Sequence, residues 1–238
     1  MSTLLVIPCF NESLRLPRFL PKLCELLKAS KAEAEVQLVD DGSTPEEKKA
    51  LKDFARSLMP AYPFVREPIL LDRNLGKGGA IRAGWDASTD FDFLAFVDAD
   101  GAAPASETMR FLERLDALEN KSSLLVAMRE PDAGREIQRA LSRKIVAKAF
   151  NTLLKIFYGI RIRDTQCGLK AVPAAFFSKL RNQLRQNGYG FDLELIANAK
   201  KEGLALEMMP IDWKEIPGSK TRIGPAIAFA LQIVFRRI

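Results

Sequence analysis

Two carboxylates, one residue apart, follow a strongly apolar stretch of the chain. Asp98 and Asp100 come directly after residues 93–97 (FLAFV). A buried strand that ends in this way directs both carboxylates to the carboxyl edge of a sheet, where open α/β sheets bind ligands. Two carboxylates there suit Mg²⁺ or Mn²⁺, because a hard cation takes its other ligands from water and from a substrate's phosphates. The alternative is a pair of solvated loop carboxylates, since D-x-D alone is common.

The composition narrows the chemistry that is available. The 238 residues include no histidine, which excludes Ser-His-Asp catalysis, histidine metal ligation and an imidazole general base. The three cysteines, Cys9, Cys24 and Cys167, form no C-x-x-C pair, which argues for a reducing compartment and against a disulfide framework or a zinc site. Catalysis therefore depends on carboxylates, Lys, Arg, backbone amides or a bound metal.

The first half of the chain alternates short apolar runs with helical patterns, which is typical of βαβ units. We expect strands at residues 4–7, 36–39, 69–71 and 93–97. Helices are expected at residues 18–29, from Pro45 with Ser43 or Thr44 as its cap, and from the glycine-rich loop 74–79 to residue 87. The polar residues after each strand then gather along one edge of the sheet. The fold class is α/β, with a mixed, mostly parallel sheet flanked by helices.

The second half is less regular but continues the same architecture. Strands are predicted at residues 124–127, 170–172 and 206–209, a loop at 129–135 and a helix at 193–202. A long basic amphipathic helix is predicted from about residue 138 to 158, and an apolar amphipathic helix closes the chain. Repeats and linkers are absent from the sequence, so we expect one domain spanning residues 1–238, a length that buries a substantial core.

The positive charge is concentrated in one segment. The whole chain has a net charge of +6, and residues 135–170 hold nine basic residues against two acidic ones. Such a patch implies phosphates, an anionic membrane surface or nucleic acid. Nucleic acid is not expected, because the aromatic residues of the segment follow helix-core spacing and form no stacking platform. We see no signal peptide pattern and no apolar run of the roughly 18 to 20 residues that a spanning helix needs.

Eight short motifs occur in order along the chain, most of them beside a predicted strand or helix. They are residues 6–12 (VIPCFNE), 39–44 (VDDGST), 74–80 (NLGKGGA), 98–100 (DAD), 139–143 (RALSR) with Asn151, 164–170 (DTQCGLK), 191–195 (FDLEL) and 213–220 (WKEIPGSK).

Together these motifs resemble family 2 glycosyltransferases of the GT-A, Rossmann-like fold, and most of all the polyprenyl-phosphate (dolichyl-phosphate) glucosyl- and mannosyltransferases. The resemblance covers residues 6–220. Phe10 stands where the family usually has Tyr, and Ala102 stands where mannosyl members often have Gln. That difference, together with residues 98–102 (DADGA), 165–170 (TQCGLK) and 213–220 (WKEIPGSK), looks closer to the glucosyl branch, which implies UDP-glucose as the donor, with GDP-mannose as the alternative.

The resemblance implies that residues 1–105 form the half that binds a nucleotide sugar. The donor-binding residues that it implies are Pro8, Phe10, Glu12, Asp40, Asp41, Lys77 and Asp98. Asp41 is our candidate for the base contact, although an Asx-turn or helix cap is the alternative for one of the two neighbouring aspartates. Asp98 and Asp100 would bind Mg²⁺ or Mn²⁺, and Asp100 is the one favoured for direct contact with the metal on the diphosphate. The glycines beside Lys77 lack Walker spacing and are expected to let backbone approach the nucleotide, and simple solvation is the alternative for Lys77.

The resemblance further implies a lipid monophosphate acceptor bound by residues 106–238. A phosphate dianion is already nucleophilic, so a site without histidine needs cations to hold two anions together rather than a general base. Acceptor-binding residues are expected to be Arg139, Ser142, Arg143 and Lys220, and catalytic residues Asp100, Arg129, Arg139 and Asp192. In-line attack at the anomeric carbon predicts inversion. Asp164 is expected to pair with a neighbouring Arg.

Two other enzymatic functions remain open from the sequence. If the acceptor is a sugar or protein hydroxyl, the chain is a soluble GT-A enzyme and Asp192 is its general base. A nucleotidyltransferase can have the same D-x-D motif at the edge of an α/β sheet, and it is the less favoured alternative. If the acceptor is a lipid phosphate, the basic and C-terminal helices are suited to bind the protein peripherally to the cytoplasmic face of a membrane. A membrane protein partner is left open.

Overall fold

The computed structural model describes residues 1–88, 90–118, 122–129, 137–138, 164–188, 190–214 and 216. Within these ranges the strands are β1 (Thr3–Cys9), β2 (Ala34–Asp40), β3 (Ile69–Leu70), β4 (Phe93–Val97), β5 (Ser123–Met128), β6 (Ile137–Gln138), β7 (Leu169–Pro173), β8 (Ala205–Pro210) and β9 (Trp213–Lys214). The helices are α1 (Leu16–Ala29), α2 (Pro45–Leu58), α3 (Lys77–Asp86), α4 (Ala105–Asp116), α5 (Ala174–Leu180) and α6 (Gly190–Lys201).

Seven of these strands form one sheet in the order β3-β2-β1-β4-β7-β5-β8. The neighbours β1–β2, β1–β4, β2–β3 and β5–β8 are parallel, whereas β7 is antiparallel to both β4 and β5. β7 is therefore the one reversed strand among these seven, and it lies inside the sheet, between β4 and β5. Strands β6 and β9 form a separate parallel pair. The mixed, mostly parallel α/β sheet predicted from the sequence is confirmed.

The sheet separates two buried layers, and the alternation of side chains along β1 shows how. Leu5 and Ile7 face a layer built from α1, α2 and α4, while Leu4 and Val6 face a layer built from α3, α5 and α6. Because successive strand residues point to opposite faces, a central strand buried on both faces is apolar throughout. β1 and β4 are buried almost completely in this way. Helices on both faces leave the strand ends as the place for a ligand.

Most predicted elements agree with the structure to within a few residues. Thr44 caps α2 as predicted, accepting the Glu47 N–H at 3.4 Å, and α1 begins at Leu16, two residues before its predicted start. The predicted start of the basic helix near residue 138 is wrong, since Gln138 lies in β6. Residues 139–158, the terminal amphipathic helix and Lys220 lie outside the described residues. No helix in the described part of the chain is long and apolar enough to cross a membrane.

Candidate active site

One edge of the sheet collects most of the described residues that the sequence analysis singled out. The parallel strands β1, β2, β4 and β5 all end there, and each is followed by polar residues. The reversed strand β7 begins at the same edge, so the segment before it, residues 164–168, also lies there. The end of β4 contacts this segment directly, because the Asp98 N–H donates to the Gly168 carbonyl at 2.9 Å. A β-carbon at Gly168 would lie 1.8 Å from the Asp98 carboxylate, so a larger residue here would force that carboxylate to move.

An alternating row of four charges runs from this edge into the core. Asp98 Oδ1 lies 2.9 Å from Lys77 Nζ, and Lys77 Nζ lies 3.4 Å from Asp192 Oδ2. Asp192 Oδ1 in turn lies 2.5 Å from the ammonium of Lys170, which also donates to the Cys167 carbonyl. Side-chain exposure falls along the row, from 32% at Asp98 and 21% at Lys77 to 2% at Asp192 and 0% at Lys170. The row therefore joins the D-x-D motif to a fully buried lysine.

The electrostatics of this row keep Asp192 ionised. Burial acts to raise the pKa of Asp192, but the ammonium groups of Lys170 and Lys77 outweigh it, and the pKa lies below its ordinary value. Burial also acts to lower the pKa of Lys77, yet Asp192 and Asp98 raise it above its ordinary value. Lys77 is thus a permanent cation beside the D-x-D, and the solvated alternative for it is wrong.

Asp100, the second carboxylate of the D-x-D pair, is half-buried. Its carboxylate accepts the Ala102 N–H at 3.0 Å. Burial and the nearby charge of Asp98 raise the pKa of Asp100 above its ordinary value, although the Ala102 hydrogen bond acts against them. The pair fits a divalent cation, because two carboxylates are a common protein share of a Mg²⁺ site completed by phosphate oxygens. In the described part of the chain, no group of three His, Cys, Asp or Glu side chains offers a ready-made metal cage.

Asp40 and Asp41 are both buried, and they have different hydrogen-bond partners. Asp40 Oδ1 accepts the Ser43 N–H at 2.9 Å, which makes the turn predicted as the alternative for one of the pair. Asp41 Oδ1 accepts the Leu75 N–H at 2.7 Å and so fixes the start of the glycine-rich loop. Burial raises the pKa of Asp41, opposed by hydrogen bonds from the Leu75 and Gly76 amides. Of the two, Asp41 is the carboxylate tied to the loop that carries Lys77.

The loop after β1 lies at the same edge of the sheet, beside the loop after β2. Phe10 exposes 39% of its surface, and Asn11 has a left-handed φ of 52°. The Asn11 N–H donates to Ser43 Oγ at 2.9 Å, which ties this loop to the one after β2. Glu12 is buried and receives a hydrogen bond from Arg15 Nε at 2.7 Å. Pro8 lies near the end of β1 and is half-buried. The donor-binding candidates Pro8, Phe10 and Glu12 therefore all lie at or beside the carboxyl edge of the sheet.

The glycine-rich loop accommodates the protein's own backbone, which is a correction to the sequence analysis. The N–H groups of Gly78 and Gly79 donate to the Asn187 carbonyl at 2.7 and 3.3 Å. A β-carbon at Gly78 would lie 2.6 Å from the Phe191 β-carbon, and one at Gly76 would lie 2.5 Å from the Asn187 oxygen. The close approach that these glycines allow is therefore that of the segment before α6, and it holds Lys77 beside Asp192.

Arg129 follows β5 at the same edge and is already engaged. Its Nε and Nη2 lie 2.6 and 2.7 Å from the two oxygens of Asp164, and its backbone N–H donates to the same carboxylate at 3.0 Å. The guanidinium stacks 4.7 Å above the Trp213 ring. Burial acts to lower the pKa of Arg129, but Asp164 raises it above its ordinary value. The predicted Asp164–Arg pair is confirmed, while the acceptor candidates Arg139, Ser142, Arg143 and Lys220 lie outside the described residues.

The sequence analysis missed several residues of this edge. Lys170 was counted within the basic segment, yet it is fully buried and faces the same layer as Val172, two residues further along β7. A lysine within an apolar strand was the signal that could have identified it. Thr165 Oγ1 and Gln166 Nε2 are buried, and neither has a hydrogen-bond partner within the described residues. Unsatisfied polar atoms beside a crevice are typical of a ligand site.

The topology and the carboxylate pair at its carboxyl edge define a GT-A glycosyltransferase fold. The chain belongs to glycosyl transferase family 2, whose profile matches residues 4–181. It is similar to the dolichyl-phosphate beta-glucosyltransferase of Saccharomyces cerevisiae, with 32% identity over 98% of the chain and 73% of the relative. The Homo sapiens dolichyl-phosphate beta-glucosyltransferase is 31% identical over 90% of the chain and 68% of the relative.

Solved structures show the same fold at low sequence identity. Glucosyl-3-phosphoglycerate synthase from Mycobacterium tuberculosis, in complex with Mn²⁺, UDP and phosphoglyceric acid, matches with a TM-score of 0.71 at 14% identity. The match covers 98% of this chain and 76% of that one. The same enzyme in complex with Mn²⁺ and UDP-glucose matches with a TM-score of 0.69 at 15% identity over the same shares of both chains. These matches confirm the predicted fold class.

Proposed function

We propose that this protein transfers glucose from UDP-glucose to a polyprenyl or dolichyl phosphate, with inversion and with the help of Mg²⁺ or Mn²⁺. The similarity to dolichyl-phosphate beta-glucosyltransferases supports the sugar and the acceptor class, and gives GDP-mannose no support. The observation that carries the choice of acceptor is the position of Asp192. Its two carboxylate oxygens are held by Lys170 and Lys77, so it is poorly placed to take a proton from a hydroxyl.

The donor half, residues 1–105, would place the diphosphate of the sugar nucleotide over the D-x-D pair. Asp98 and Asp100 would hold the divalent cation, which when bound supplies a Lewis acid that neutralises the departing diphosphate. Lys77, permanently charged and partly exposed, lies beside that position and offers a second positive charge. Phe10 and Asp41 lie at the same edge, where we place the base and ribose. The buried amide of Gln166 is a hydrogen-bond donor for the sugar or a phosphate oxygen.

The reaction that we propose needs no general base. A phosphate oxygen of the acceptor attacks the anomeric carbon of glucose and forms the new C–O bond. The bond from that carbon to the donor's β-phosphate oxygen breaks, and the electron pair leaves with UDP. Attack opposite the leaving group converts an α-linked donor into a β-linked lipid-phosphate sugar. The protein's contribution is to hold two anions in line and to stabilise the charge on the leaving group.

The acceptor half, residues 106–238, would supply the cations that hold the lipid phosphate. Arg139, Ser142, Arg143 and Lys220 stay our candidates for this contact, since Arg and Ser side chains donate to phosphate oxygens. The guanidinium of Arg129 is already bound to Asp164, so we assign Arg129 a structural role, in which it holds the segment before β7 against the end of β5. We place the protein peripherally on the cytoplasmic face of a membrane, where the basic segment meets anionic lipid headgroups, with or without a membrane protein partner.

The test is a transfer assay with defined substrates. The protein is incubated with Mn²⁺, a short-chain polyprenyl phosphate and a panel of UDP- and GDP-sugars, and nucleoside diphosphate and lipid product are measured. We expect UDP release that requires UDP-glucose, metal and lipid phosphate together. Asp100→Ala should abolish it, while Asp53→Ala, which removes a carboxylate from the exposed surface of α2, should leave it unchanged.

Three outcomes would contradict the proposal. Hydrolysis or binding of UDP-glucose without transfer to the lipid would move the acceptor to a hydroxyl. Release of pyrophosphate in place of UDP would indicate a nucleotidyltransferase. A rate that is preserved for a hydroxyl acceptor in wild type but lost in Asp192→Asn would make Asp192 a general base after all.

A further inference from the structure

We propose that Lys77 is an exchangeable cation of the donor site. While the site holds no metal, its ammonium pairs with Asp98. When a divalent cation binds Asp98, the ammonium leaves Asp98 and stays paired with Asp192, where it faces the donor's diphosphate. This inference rests on the proposed function, because it assigns the divalent cation to Asp98. Asp192 is the positioning residue of the exchange.

The geometry places Lys77 where a cation bound to Asp98 would compete with it. Lys77 Nζ lies 2.9 Å from Asp98 Oδ1, which is the distance of a charge-assisted hydrogen bond. A divalent cation on that carboxylate and an ammonium at this distance repel one another strongly, because the site is only partly exposed to water. Asp98 therefore cannot bind the metal and keep Lys77 at this distance without a loss of affinity.

Asp192 supplies the second position that the exchange requires. Its Oδ2 lies 3.4 Å from Lys77 Nζ, so the ammonium already lies between two carboxylates and needs only a small shift. Asp192 is 2% exposed and cannot follow a ligand out of the core, since Lys170 holds its other oxygen. One carboxylate is open to the crevice and the other is fixed in the core, so only the first is available to a metal.

The ring of Phe96 supports both lysines of the row. Lys77 Nζ lies 4.9 Å and Lys170 Nζ 5.6 Å from the centre of this ring. An aromatic face attracts a cation without a directional hydrogen bond. The ammonium of Lys77 can therefore move between Asp98 and Asp192 while it keeps this contact. Hydrogen bonds from the glycine-rich loop to Asn187 hold the backbone of Lys77 in place during the shift.

The exchange predicts effects of opposite sign on two binding steps. Removing the ammonium should tighten Mn²⁺ binding to the protein without donor, because the competing cation is gone. The same change should weaken UDP binding in the presence of Mn²⁺, because the diphosphate loses a positive charge. A lysine with a purely structural role would weaken both steps or neither.

The experiment measures Mn²⁺ binding by the loss of the free-ion EPR signal, without and with UDP, on the full chain. For Lys77→Met we expect Mn²⁺ alone to bind roughly fivefold tighter or more, and UDP with Mn²⁺ to bind at least about fivefold weaker. Lys77→Arg keeps the charge and should restore both affinities most of the way. Lys49→Met, which removes an exposed lysine paired with Asp53, is the matched control and should change neither affinity.

A further variant tests the positioning role. Asp192→Asn leaves Lys77 with Asp98 as its remaining carboxylate, so Mn²⁺ alone should bind more weakly than in wild type, opposite to Lys77→Met. Unchanged or weaker Mn²⁺ binding in a folded Lys77→Met would overturn the exchange, even if Asp192→Asn fails to fold. Failure of the proposed function gives a different result, namely no Mn²⁺-dependent UDP binding by the wild-type protein.

Discussion

The buried pair of Lys170 and Asp192 should be among the most strongly coupled pairs in the protein. Lys170 is 0% and Asp192 2% exposed at the side chain, and their charged atoms lie 2.5 Å apart. Removing one member leaves an uncompensated charge in the core, which costs about 3–5 kcal/mol in proteins. Lys170→Met should fall at the lower end of that range, because Asp192 keeps Lys77 as a second partner at 3.4 Å. Asp192→Asn should fall higher, because Lys170 then loses its carboxylate partner and, of its described contacts, keeps the neutral Cys167 carbonyl and the Phe96 ring.

The double variant Lys170→Met/Asp192→Asn decides whether the charges act as a pair. It leaves no unpaired charge at these two positions, so it should be more stable than the sum of the single losses by about 2 kcal/mol or more. The assay is urea unfolding followed by circular dichroism at neutral pH, with equal m-values required of all variants. The exposed pair Lys49 and Asp53 provides a control cycle that should show no comparable coupling. Losses that simply add in the buried cycle would refute the reasoning.

The same pair predicts how stability depends on pH. Burial acts to raise the pKa of Asp192, but the two lysines lower it below its ordinary value of 3.8 in the folded state. A group whose pKa is lower in the folded state contributes its full stability above the ordinary value and loses it as the pH falls through the folded value. The wild-type protein should therefore lose stability more steeply than Asp192→Asn when the pH falls below about 4. Parallel pH profiles for the two proteins would contradict this assignment.

Three further predictions concern single positions. Gly78→Ala places a methyl group 2.7 Å from a backbone carbonyl oxygen and should cost about 1–3 kcal/mol in urea unfolding, whereas Gly188→Ala, with nothing within 4 Å, should be close to neutral. Gly168→Ala pushes its methyl group into the Asp98 carboxylate and should reduce Mn²⁺-dependent UDP binding at least tenfold, with normal binding in this variant as the contrary result. Thr44→Ala removes a helix cap and should lower the free energy of unfolding by about 1 kcal/mol without changing UDP binding, and an unchanged unfolding curve would count against the cap.

Local patterns were sufficient to predict the donor half of the fold. Each strand of this half is a short apolar run, and each is followed by residues with strong turn or cap preferences, as at Thr44. These preferences act over a few residues, so they can be recognised without knowing the tertiary structure. The position of Asp98 and Asp100 at the carboxyl edge followed from the same argument, and the parallel pairing of β4 with β1 confirms it.

The sequence by itself therefore determined the α/β class, the edge that holds the D-x-D and the resemblance to family 2 glycosyltransferases. Only the tertiary structure decided that β7 is inserted in reverse between β4 and β5, because that pairing joins segments far apart in the chain. The insertion carries Lys170 from an apparent basic surface into the core and brings it to Asp192. Whether a charge is exposed or buried depends on what packs against it, and that is a property of long-range contacts.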